Sequence, residues 1–277
     1  MNDNKKEASF EMKKIMFLLL ALFICLLPMQ ALAAKDKKEE KDTSIPNYVL
    51  NVSKENTYPN PTQDLPQLQP SELAQALLDS SEVKIDNPEL IRVLNESSIN
   101  NSKLAIGFKA SIYLGEWPLS YESAETNVNW EYKKVNTNYA DNRGGKAAQK
   151  ISYRQDQQQK VVGGLTAEIP NSEEVKKMMM IKAAEKTGLP LAFETVIGHG
   201  TKKGQTYNVA PKNVGYLYSY VPAANEKGKV TYGEVYLTFK HGKQKIEVKN
   251  VTQQGIGAFI PVQDYLAFKY FTSNQPK

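Results

Sequence analysis

Apolar and polar positions alternate with period two through much of the chain. Leu104, Ile106, Phe108, Ala110, Ile112 and Leu114 alternate with smaller or polar residues, which predicts a strand. Val128, Trp130 and Tyr132 keep the same period. Asp141-Asn142-Arg143-Gly144-Gly145 reads as a turn, with Ile151 and Tyr153 on the strand that follows. Further strands are expected near 161–169, 205–210, 214–222, 230–240 and 244–251. Helical spacing is rarer. Ser71 reads as an N-cap ahead of Leu73, Ala74, Leu77 and Leu78, and Asn87-Pro88 opens a second short helix with Leu90, Ile91 and Leu94 on one face. A third runs from Pro170 to Gly188, with Asn171 and Ser172 at its start and Val175, Met178 and Met179 on one face. Pro261 opens a fourth, through Tyr265, Leu266, Phe268 and Tyr270. Strands come in runs with few helices between them, so the predicted class is α+β with a mostly antiparallel sheet.

One hairpin is specific enough to assign a register. A two-residue turn at His241-Gly242 pairs Lys240 with Lys243, Leu237 with Ile246 and Val235 with Val248. It sets Glu234 opposite Lys249 and Tyr236 opposite Glu247. Val235, Leu237, Phe239, Ile246 and Val248 then face the core, while Tyr232, Glu234 and Tyr236 face outward.

The N-terminus carries the sharpest signal. Lys13 and Lys14 precede an apolar run from Ile15 to Met29, and Ala31-Leu32-Ala33 supplies an A-x-A cleavage pattern. Residues 1–33 therefore read as a signal peptide cut after Ala33, which places the protein outside the cytoplasmic membrane, secreted or held in the cell envelope. The alternating charges of 35–42 and the prolines at 59, 61, 66 and 70 read as a tether over 34–70. Residues 71–277 form the expected α+β domain.

Composition narrows the chemistry. Of 277 residues, 41% are apolar and 23% charged, which suits a folded domain. The only cysteine, Cys25, lies in the export segment, so the exported chain has no thiol nucleophile, disulfide or thiolate metal site. The net charge of +5 lacks the long basic runs of nucleic-acid binders, and no nucleic-acid partner is expected. His199 and His241 stand far apart, and neither a G-x-S-x-G elbow nor an H-E-x-x-H helix is present. Gly198 to Gly204 has the wrong spacing for a phosphate loop and reads as a glycine turn. No metal and no cofactor is expected. The remaining enzymatic route is glycan hydrolysis by paired carboxylates, with Glu116, Glu122, Glu168, Glu194 and Glu234 as unspecific candidates.

Tyr216, Tyr218 and Tyr220 fall at period two and share one strand face. Two readings stand side by side. Either the row packs beneath the helix at 172–187, or it is an exposed surface that stacks on sugar rings or peptide. The binding reading makes the protein a binding or structural component of the envelope, with a cell-wall polymer or an envelope protein as partner. The rival is an envelope hydrolase acting on glycan. Membrane contact is expected only through the export segment, if it is retained.

Ile45-Pro46-Asn47-Tyr48-Val49-Leu50, the proline-rich stretch Tyr58 to Pro70, the export segment and Phe259-Ile260-Pro261 together resemble the YfkD-like family. The resemblance spans most of the exported chain. It implies an exported protein of a spore-forming Gram-positive bacterium and carries across no catalytic or binding residue.

Overall fold

One strand organises the molecule. The computed structural model describes residues 44–61, 69–97, 109–240 and 243–276. In chain order the elements are β1 (Val49–Asn51), α1 (Glu72–Asp79), α2 (Pro88–Glu96), β2 (Lys109–Asp141), β3 (Gln149–Arg154), β4 (Gln159–Val162), β5 (Gly164–Leu165), α3 (Ser172–Thr187), β6 (Glu194–Ile197), β7 (Lys202–Val209), β8 (Val214–Lys240), β9 (Lys243–Pro261) and β10 (Tyr265–Ser273). Every pairing between named strands is antiparallel. β8 pairs with β2 along its whole length. Its other edge pairs first with β10, over Val214–Tyr220, and then with β9, from Ala223 to Lys240. β1 extends the sheet beyond β10 and β5 extends it beyond β9, while β3–β7 and β4–β6 form two small sheets apart from it. The architecture is α+β and strand-dominated.

The buried face of β8 changes along the strand. Leu217 and Val221, at odd positions, join a core with Ile151, Tyr153, Ile197, Val209, Leu266 and Phe268. Ala224, Val230 and Tyr232, at even positions, join a second core under α3 with Val175, Met178 and Met179. Val235 and Leu237, odd again, pack with Leu77, Leu90, Leu94 and Ile246 beneath α1 and α2. A register shift against β9 between Tyr232 and Glu234 marks the second change of face.

Local sequence explains the helices. The Ser71 hydroxyl accepts from the Ala74 N–H, and the Asn87 side chain accepts from Glu89 and Leu90 N–H ahead of Pro88. α3 ends at Gly188, whose φ of 65° gives the left-handed cap that a Cβ would strain. At its start no side chain caps the helix. Asn171 is itself left-handed and makes no cap bond, and its amide instead donates to the Glu116 carbonyl of β2.

The hairpin register is as expected at every pair named above, although the turn residues His241 and Gly242 lie outside the described residues. Tyr232 is a correction. It is 4% exposed, because the expectation carried one parity through the register shift that separates Tyr232 from Glu234. The helix expected from Pro261 is also a correction. Pro261 ends β9, Asp264 turns at φ 56°, and 265–273 is the strand β10. Leu266, Phe268 and Tyr270 fit period two as well as a helical face, and pairing between β1 and β8 selects the strand. The strand expected over 161–169 is two short ones broken at Gly163. The strands expected at 214–222 and 230–240 are one continuous strand. Ile112 lies in β2 but is 48% exposed, and Leu104, Ile106 and Phe108 lie outside the described residues.

Part of the stretch read as a tether belongs to the fold. Val49 and Val52 are buried, and β1 pairs with β10. Asn56 and Asn60 both donate to Asp264 Oδ1 and to the Val196 carbonyl, while Asn60 Oδ1 accepts from Val196 N–H. The signal peptide with Ala31 and Ala33 lies outside the described residues. Among those described, no helix is long and apolar enough to cross a membrane.

Candidate functional site: an aromatic sheet face

Where β8 turns its odd side to the core, its even side carries Tyr216, Tyr218 and Tyr220. Neither α3 nor another described helix lies over this row, so the reading that buries it under 172–187 does not hold. α3 covers the next stretch of the strand instead. β2 places Tyr139 beside Tyr216 and Thr137 beside Tyr218. β10 places Phe271 beside Tyr216 and Lys269 beside Tyr218.

The rings are packed against one another. Phe271 stacks on Tyr216 at 5.0 Å between centroids, and Tyr139 meets it edge-on at 5.4 Å. Tyr218 meets Phe271 at 4.9 Å and lies 6.4 Å from both Tyr216 and Tyr220. The Lys134 ammonium sits 4.5 Å above the Tyr218 ring, within cation–π range. Lys269 is held by Glu131 at 2.9 Å. This packing divides the labour. Tyr216 is 5% exposed and acts as the floor, Tyr218 and Tyr220 are half-buried, and Tyr139 is 50% exposed at the rim. The interplanar angles along the row are 59° and 77°, so the surface is ridged and not a flat platform. Burial raises the pKa of the Tyr220 hydroxyl, with Glu131 adding to the effect, and Tyr139 is raised by desolvation and by Asp141. Both hydroxyls remain hydrogen-bond donors in neutral solution.

Tyr139 and Phe271 were not singled out from the sequence. Phe271 fell just beyond a stretch read as helix, and Tyr139 needs the β2–β8 register to be placed.

The carboxylate candidates scatter, with one exception. Glu122 faces Lys229 across the strand pair, Glu168 is exposed in the loop before α3, and Glu194 pairs with Lys160 at 2.6 Å. Glu116 and Glu234 are direct cross-strand partners. Asn250 and the Tyr236 hydroxyl hold the Glu234 carboxyl below the usual range. Glu116 is exposed and Glu234 half-buried, whereas a sugar-cleaving pair sits in a cleft that encloses its substrate. One concavity lies elsewhere. It is a cleft of about 470 Å³ lined by Pro59, Asn60, Leu191, Gln263 and Asp264, among others, and its Asn60 and Asp264 are engaged in fastening the N-terminal arm. His199 is exposed in the turn after β6, and no group of three or more metal-ligating side chains occurs among the described residues.

Residues 46–277 match the family described as YfkD-like protein. The chain is 59% identical over 268 residues, covering 96% of it and the whole of the relative, to the "Uncharacterized protein YfkD" of Bacillus subtilis (strain 168). A match over residues 46–277, with a relative aligned end to end, means that this chain belongs to the YfkD-like family.

Proposed function

We propose that this protein is an exported binding component of the cell envelope and that Tyr218, Tyr220 and Tyr139, floored by Tyr216, form its ligand surface. One observation carries the reading. A row of aromatic rings occupies a sheet face that no described helix covers, while the opposite face of the same strand holds a core. Tyrosine offers apolar area and a hydroxyl together, which suits sugar rings or an extended peptide. The ligand that fits an exported protein is a cell-wall polymer. Its recognition here needs no metal and no cofactor.

The test is co-sedimentation of the purified protein with isolated cell walls. Tyr218→Ala and Tyr139→Ala should each weaken binding, while Tyr216→Phe, which keeps the floor, should not. Equal pelleting of all variants would remove the tyrosine face as the ligand surface. Export is checked separately by N-terminal sequencing of protein from the envelope or medium, with a start at Ala34 expected. Recovery of the intact chain from the cytosol would overturn it.

A further inference from the structure

A second surface lies at the far end of the same sheet. β2, β8 and β9 bring Lys109, Lys240 and Lys243 into direct register, and Lys245 follows on the same face beside Thr238. Adjacent strands lie about 4.8 Å apart, so three ammonium stems stand side by side. Like charges directly opposite each other destabilise a sheet. All four lysines are exposed, and none is in an ion pair with another described residue. Elsewhere on the molecule the lysines at 84, 160, 176, 182, 203 and 269 each have a carboxylate partner.

The same face carries two tyrosines. Tyr113 and Tyr236 are cross-strand partners with ring centroids 5.1 Å apart, and Tyr113 is 54% exposed. Acids enter the face only further along. Glu247 is paired with Lys249 at 3.9 Å, and Glu234 is bound by the Tyr236 hydroxyl. Behind the face, Val235, Leu237 and Ile246 pack onto α1 and α2, which holds the lysines on a rigid support.

We infer that this lysine- and tyrosine-bearing face docks onto the anionic surface of a lipid bilayer. Lysines are compact point charges that suit diffuse attraction to many phosphates better than forked recognition of one. Clusters of four or more basic residues are what such surfaces attract. Tyrosine is at home at the level of lipid headgroups. A soluble polyanion would account for the lysines but would leave Tyr113 in water.

The experiment uses the full chain and vesicles of phosphatidylcholine with or without phosphatidylglycerol. Any background from the apolar segment 15–29 is common to every variant and both lipids. Each lysine near an anionic surface is worth about fivefold in partition. The quadruple variant K109Q/K240Q/K243Q/K245Q should therefore lose roughly a hundredfold or more on phosphatidylglycerol vesicles and match wild type on phosphatidylcholine alone. Wild-type binding to the anionic vesicles should weaken steeply as salt rises, and Tyr113→Ser should weaken it severalfold. Tyr218→Ala should leave it unchanged, which separates this face from the tyrosine face proposed to bind cell wall. Equal vesicle binding by wild type and the quadruple variant, or binding indifferent to salt, overturns the inference. So does a quadruple variant that merely aggregates while wild type shows no preference for the anionic lipid, since the lysines would then only keep the hairpin tip soluble.

Discussion

Tyr216 and Tyr218 are two residues apart on one strand, yet their truncation should cost different amounts. Tyr216 is sealed between Phe271 and Tyr139, so Tyr216→Ala removes a buried aromatic and should cost roughly 3–5 kcal/mol. Tyr218 is half-buried and gives up ring contacts with Phe271 and Lys134, which amounts to about 1–2 kcal/mol. Urea midpoints of the two variants check this, and equal losses would mean that Tyr218 is as much a core residue as Tyr216. Asp141 makes a second prediction at this scale. Hydrogen bonds from Arg143, first from its side chain and then from its N–H, lower the Asp141 carboxyl to about 2 from its ordinary 3.8. A carboxyl depressed by folding stabilises the native state above its unfolded value and loses that contribution as pH falls through the folded one. The effect is therefore full above about pH 4 and gone near pH 2. Melting temperatures across the acid range should fall over that window, and Arg143→Gln should flatten the fall.

At the scale of elements, the N-terminal arm is fastened by amides more than by apolar burial. Asn60 uses both ends of its side chain, donating to Asp264 and the Val196 carbonyl and accepting from Val196 N–H. Asn60→Ala leaves a carboxylate and an edge-strand N–H short of partners, which should cost about 1–3 kcal/mol. Limited proteolysis should then cut within 44–61, where wild type resists, and an unchanged cleavage pattern would show that β1 alone holds the arm. This fastening could not be read from the sequence, because it joins residues more than 130 positions apart and proline-rich polar stretches look alike whether docked or free. The β8–β9 hairpin was legible to the residue because a tight turn sets the register and a slip would mix charge with core. The same hairpin carried the pairing of Lys240 with Lys243, but Lys109 joins them only through β2, whose partner no local pattern names. β10 was misread because Leu266, Phe268 and Tyr270 satisfy both periods, and the deciding fact is the pair of neighbours it lies between. The buried Glu226, which accepts from the Tyr121 hydroxyl, left no sequence signal either, since an isolated glutamate in a strand reads as solvated.

For the whole molecule, the alternation of buried faces along β8 explains why the tyrosine row was ambiguous. The pattern Tyr-Leu-Tyr-Ser-Tyr-Val offers apolar groups on both sides, and which side is covered depends on where the small sheets carrying Ile151, Tyr153, Ile197 and Val209 pack. Gly228 shows how finely this is set. A Cβ there would lie 2.1 Å from the Glu122 carbonyl oxygen and 2.5 Å from the Tyr121 hydroxyl, so glycine lets both the β2 backbone and the Tyr121 ring come close where Tyr121 reaches Glu226. β8 also has a partner on both edges over nearly its full length, β2 on one side and β10 then β9 on the other. Its amide protons therefore have no local route to water. In deuterated solvent the last amides to exchange should form one unbroken run from about Tyr216 to Leu237, with rates matching global unfolding. β1, paired on one side only, should exchange well before them by lifting away with the arm. A gap of fast exchange near Pro222 or Gly233, where the buried face changes, would instead divide the run into blocks that open separately.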